Sequence, residues 1–146
     1  MRLIECSDER FKDIAGEEWD SVPSEWRERI ENVALLVEDE PSEEVRKEEG
    51  LNEHETLLGR YHGIPESERG EGYGVGVTLP DTITLYRLPL LEEAAFLMEE
   101  RRISVPEDAV TEAVRETLWH EIGHYFGLHE EEVRVREKGG TNRFGH

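Results

Sequence analysis

Phe11, Ile14, Ala15 and Trp19 recur at three- and four-residue steps, the repeat of a helix with one apolar face, and predict a helix from Ser7 to Asp20. Pro23 suits the residue just before a helix start, and the same spacing continues from Ser24 to Ile30. The pattern then changes. Val33 to Val37 is a short, almost continuous apolar run, too short for a helix of its own, and reads as a buried strand. Glu43 to Glu55 is acidic and nearly devoid of apolar residues, as in a solvated loop or a short exposed helix. Thr56 to His62 reads as a second strand. The glycine- and charge-rich stretch between Gly63 and Gly76 predicts a mobile loop. From Thr82 to Arg87, Ile83 and Leu85 alternate with Thr84 and Tyr86, the period of two that marks a third strand.

After Pro89 an apolar-rich helix runs through Leu90, Leu91, Ala94, Ala95, Leu97 and Met98. A last, long helix is predicted to begin near Pro106, where Ser104 and Glu107 have the spacing of a capping box. Gly127 should end it, since glycine readily takes the left-handed conformation that terminates helices. With 146 residues, no internal repeat and no linker, the whole chain is expected to form one domain. Residues from about 136 to 146 offer nothing to a core and read as a frayed tail.

Composition narrows the partners. A net charge of -19 repels nucleic acid backbones and anionic membranes, so neither is expected. The excess of Glu over Asp and of Arg over Lys hints at a thermophilic or GC-rich bacterial source. Cys6 is the only cysteine, which excludes an intrachain disulfide, a zinc ribbon and Cys-x-x-Cys redox chemistry. The first residues lack a basic segment followed by an apolar core, and no apolar run approaches the roughly 20 residues of a membrane helix. The expected compartment is the cytoplasm.

The last helix carries HEIGHYFGLHEE, starting at His120. Residues four apart lie one turn above each other on the same face, so the imidazoles of His120 and His124 can converge on one ion. Glu121 is rotated by about 100° from His120, beside the pair, where its carboxylate can reach a water on the metal. This is the His-Glu-x-x-His arrangement of zinc peptidases. Glutamate is so common here that the five residues alone make chance about as good an explanation. Their place on an amphipathic helix that a glycine closes shifts the balance towards metal. Val110, Val114, Leu118, Ile122 and Tyr125 form an apolar stripe, while Ala113 and Thr117, both small, are expected to leave open space before the histidines.

A catalytic zinc site takes a third protein ligand and keeps a position for water. In metzincins the signature continues to a glycine and a ligand three residues later. That position is Glu130 here, with His129 one residue early as its competitor and Glu131 one residue late. Histidines 54, 62 and 146 read as surface residues.

Three stretches in order, GRYHGIPESERG from Gly59, LPDTITLYRLPLLE from Leu79 and VRETLWHEIGHYFGLHEEEV from Val114, resemble a small bacterial family of zincin-like metallopeptidases, minimal matrix-metalloprotease-like proteins. The resemblance spans roughly the last two thirds of the chain. It implies a compact, metzincin-like α+β domain, with a short mixed sheet packed on an active-site helix and zinc held by His120, His124 and a third ligand after Gly127. The family usually has aspartate where Glu130 stands. No methionine follows Gly127, so the Met-turn of metzincins is absent, and Met98 reads as core.

The activity expected from this is peptide-bond hydrolysis, with zinc (Zn2+) as cofactor, Glu121 as general base and a peptide or protein as substrate. The substrate would lie along the sheet edge, with the Thr82–Arg87 strand as the natural candidate. Tyr73, Tyr86 and Tyr125 are candidate oxyanion stabilisers, though aromatic residues at such spacings are more often core. The alternative is a zinc-binding, non-proteolytic protein-interaction domain; a purely structural zinc ranks below both. The oligomeric state is left open.

Overall fold

Ser7 starts the first helix, its Oγ accepting the N–H of Arg10 at 3.1 Å and so satisfying one of the donors that a helix start leaves over. In the computed structural model, which describes residues 3–30, 32–63 and 80–127, this helix is α1, Asp8–Asp20. There follow α2 (Ser24–Arg27), β1 (Val33–Glu38), α3 (Glu43–Glu48), β2 (Gly59–His62), β3 (Asp81–Tyr86), α4 (Arg87–Glu100) and α5 (Pro106–Tyr125). The expected loop between Gly63 and Gly76, apart from Gly63, and the expected tail at 136–146 lie outside the described residues.

The three strands form one mixed sheet in the order β1-β3-β2, β1 parallel to β3 and β2 antiparallel to it. Leu35 lies opposite Ile83, and Tyr61 opposite Ile83 from the other side. β3 is therefore the central strand, with both its edges hydrogen-bonded. It cannot receive a substrate as an added strand, contrary to the expectation from its pattern, and among the described residues the sheet's edges are β1 and β2. β1 is a strand but not a buried one: it is an edge, and Leu36 on it is 41% exposed. The acidic stretch after it contains the short exposed helix α3, capped by Ser42, whose Oγ accepts the N–H of Val45.

α4 begins directly after β3, two residues before Pro89. The proline costs nothing there, because the first N–H groups of a helix have no partner within it. α5 opens at Pro106 as expected, yet the capping box does not form: Val105 is the N-cap and no side chain caps the turn. Glu107 is engaged elsewhere, paired with Arg10 of α1, whose Nε donates to Oε2 at 3.2 Å.

Two apolar clusters hold the elements together. Phe11, Ile14, Leu85, Leu90, Ala94, Val110 and Val114 join α1, α4 and the first half of α5 to the sheet. Ile83, Leu118, Trp119 and Ile122 join the second half of α5 to β3, with Val22, Trp19 and Trp26 packed around them. The predicted stripe of α5, from Val110 through Val114, Leu118 and Ile122 to Tyr125, is buried along its whole length. Between α1 and α5, Arg115 makes a two-pronged contact with the buried carboxylate of Glu18, both N–O distances being 3.1 Å. The result is a single α+β domain with α5 running under the sheet. Among the described residues, no helix is long and apolar enough to cross a membrane.

Candidate metal centre

α5 fixes the three residues of the motif. Because its apolar stripe is committed to the core, the helix cannot rotate, and the positions next to the stripe are set with it. His120 and His124 lie on one face, both half-buried, with ring centroids 4.9 Å apart and planes at 74°. Glu121, the residue after His120, reaches β2 and is only 7% exposed. A carboxylate so far out of water requires hydrogen-bond donors. One of them is the backbone N–H of Tyr61, which donates to Glu121 Oε1 at 2.9 Å.

That donor is available because of the phase of the β2–β3 ladder. The N–H of Tyr86 donates to the carbonyl of Leu58 at 3.0 Å, and in an antiparallel pair the bonded positions alternate. Leu58, Arg60 and His62 therefore turn their backbone groups towards β3, while Gly59 and Tyr61 turn theirs to the outer edge. Ala113 and Thr117, the small residues on this part of α5, are both buried. Ala113 belongs to the main core, and Thr117 packs on β2 at Gly59. A Cβ on Gly59 would stand 2.8 Å from Thr117 Cγ2, 3.1 Å from the Thr84 carbonyl oxygen and 3.4 Å from Glu121 Cγ. Strand and helix approach this closely only because residue 59 has no side chain.

Around the motif, Tyr61 donates its hydroxyl to Asp81 Oδ2 at 2.5 Å and sets its ring edge-on to Tyr125. Tyr125 donates to the carbonyl of Arg29 at 3.3 Å and is 1% exposed. Tyr86 is 2% exposed, and burial, reinforced by the Glu38 carboxylate, pushes its hydroxyl pKa up. Both tyrosines are core residues, and Tyr73 lies outside the described residues. Below His124 the helix ends as predicted: Gly127 has φ 81° and donates its N–H to the His124 carbonyl at 2.9 Å. Phe126 anchors this end, packed edge-on against Trp26 with the Arg29 guanidinium 4.7 Å from its ring centre.

His54 and His62 are exposed, as expected of surface histidines. Glu130, His129, Glu131 and His146 lie outside the described residues. Among the described residues, no group of three or more His, Cys, Asp or Glu side chains is placed to hold a metal ion. What they do bring together is two imidazoles one turn apart, with a buried carboxylate between them in sequence. The donor chemistry suits zinc, which takes imidazole nitrogen readily. Sequence reasoning missed the part played by Tyr61 and Gly59. The signal was a lone glycine in a strand pattern, which often marks a close backbone approach.

A mixed sheet over a long helix that carries His-Glu-x-x-His defines a zincin-like architecture. The family described as zincin-like metallopeptidase matches residues 30–140, and the chain belongs to that family. Among solved structures, the chain is similar to a conserved hypothetical protein from Thermo thermophilus, with a TM-score of 0.49 and 21% identity over 89% of this chain and 99% of that one. No curated protein matches it.

Proposed function

We propose that the protein is a zinc-dependent peptidase that hydrolyses peptide or protein substrates. The reading is carried by the pairing of two imidazoles one turn apart, His120 and His124, with the buried carboxylate of Glu121, in a chain of the zincin-like family. His120 and His124 would hold the ion, with Glu130 as the third ligand and His129 as its competitor. Zinc, when bound, supplies the positive charge that polarises the scissile carbonyl and acidifies the attacking water. Glu121 takes a proton from that water as its oxygen bonds to the carbonyl carbon. It then delivers the proton to the amide nitrogen as the carbon–nitrogen bond breaks. Both histidines are half-buried.

The test begins with metal content by mass spectrometry on native protein and on a His120→Ala/His124→Ala variant. About one zinc per native chain, lost in a variant that stays folded, is the expected result. A peptide-library digest follows. Cleavage should be abolished by a chelator and should fall by about 100-fold or more in Glu121→Gln with zinc retained. A native chain that stays metal-free in added zinc would remove the peptidase reading. Zinc-loaded protein that cuts nothing would leave the alternative, a zinc-binding interaction domain.

A further inference from the structure

The contact between Glu121 and β2 has a role to play if Glu121 is the base. A glutamate reaches its target through three rotatable bonds, and each adds conformers that do not place the carboxylate productively. General-base catalysis depends steeply on placement, since a shift of about 1 Å can cost 100-fold in rate. The helix fixes only the Cα and Cβ of Glu121. Beyond them, the Cγ runs past Gly59, where a Cβ would come within 3.4 Å of it, and Oε1 ends on the Tyr61 N–H. This N–H belongs to the backbone of a strand, held by β3 on one side and by Thr117 packing below. It is therefore a donor that does not move with side-chain rotamers.

We propose that the backbone N–H of Tyr61 is a positioning group for Glu121. It holds Oε1 at the outer edge of β2 and so sets the direction from which the carboxylate receives the proton of the attacking water. The inference rests on the peptidase reading and adds to it a device in which strand and helix jointly aim the base. Gly59 belongs to the same device, because a side chain there would push β2 away from the carboxylate.

The experiment replaces Tyr61 in the full chain by the α-hydroxy acid analogue of tyrosine. An ester oxygen then stands in place of the N–H, and the ring and its hydroxyl remain. In the zinc-loaded protein, kcat on a peptide cut by the native chain should fall about tenfold or more, the usual scale of one hydrogen bond to a charged group. KM and zinc content should stay unchanged. A kcat that holds within about twofold, or rises, overturns the proposal. A second readout does not depend on activity: hydrogen exchange at the Tyr61 N–H, with and without zinc, in the native chain and in Glu121→Ala. Protection should drop about tenfold or more when the carboxylate is removed, and unchanged protection overturns the proposal as well. A native protein that cuts no peptide, yet whose Tyr61 exchange responds to Glu121→Ala, would fail the peptidase reading while leaving the strand-to-carboxylate contact established.

Discussion

Gly59 carries no side chain because there is no room for one. Its neighbours are a threonine methyl, a backbone carbonyl and the stem of Glu121, and only the last can swing aside. Gly59→Ala should lower the stability of the protein by about 1–3 kcal/mol, the range for forcing a methyl into a packed site. Urea unfolding would measure it, and Thr117→Ser in the same chain should recover part of the loss, since it removes the methyl that lies nearest. Glu93, on α4, shows a different residue-scale effect. Burial, together with the nearby Glu116 and Glu100 carboxylates, raises its pKa in the folded chain. A carboxyl with a raised folded pKa binds protons more tightly in the native state, so stability falls as pH rises from the ordinary glutamate range towards the raised value. Glu93→Gln should therefore be more stable than the native chain at neutral pH, with the difference vanishing below about pH 4. Equal unfolding midpoints for the two chains at pH 7 would refute this.

Among the elements, α5 is the most legible. Its apolar stripe, its start at Pro106 and its end at Gly127 all follow from residues within it, and local rules suffice for such signals. The capping box fails because its glutamate has a better partner on another helix: Arg10 lies 97 residues away in the chain and no local rule anticipates it. The apolar run of β1 marks a strand but overstates its burial. Such a run reports suitability for a sheet and says little about the strand's place in it, which depends on pairing partners. The same gap makes β3 look like an edge in the sequence. Of the candidate site, the two histidines and Glu121 are readable from spacing, whereas the strand that meets Glu121 arises from tertiary packing. α1 and α5 are joined by Arg115 and Glu18, whose carboxylate side chain is 8% exposed while that of Arg115 is 36% exposed. Arg115→Ala should cost about 1–3 kcal/mol, less than for a fully buried pair because the guanidinium is partly solvated. An Arg115→Met/Glu18→Leu double variant should recover most of that loss in thermal unfolding, since no buried charge is then left unpaired.

At the scale of the whole molecule, the charge of -19 sets the background in which a dication would bind. Divalent metal reduces that excess, and on the proposed function it also ties the end of α5 to a ligand beyond Gly127. At a zinc concentration about 100 times the dissociation constant, binding to the folded chain alone adds about 2.7 kcal/mol. Calorimetry should accordingly show a clear fall in Tm when a chelator strips the metal, and the His120→Ala/His124→Ala variant should show no response to the same chelator. A native Tm that ignores both zinc and chelator would count against a metal site in the folded chain.

The parallel pairing of β1 with β3 also sets an order in time. α4 and α5 are neighbours along the chain and pack on each other, so they need only a short loop to close. β1, in contrast, meets β3 only after α3 and β2 have been passed, at a larger entropic cost of closure. On that argument the sheet closes late, and one hydrogen-bonding edge of β3 stays unpaired until β1 docks. Thr82 and Thr84, alternating along that strand with Ile83 and Leu85, keep the unpaired segment from being uniformly apolar until then.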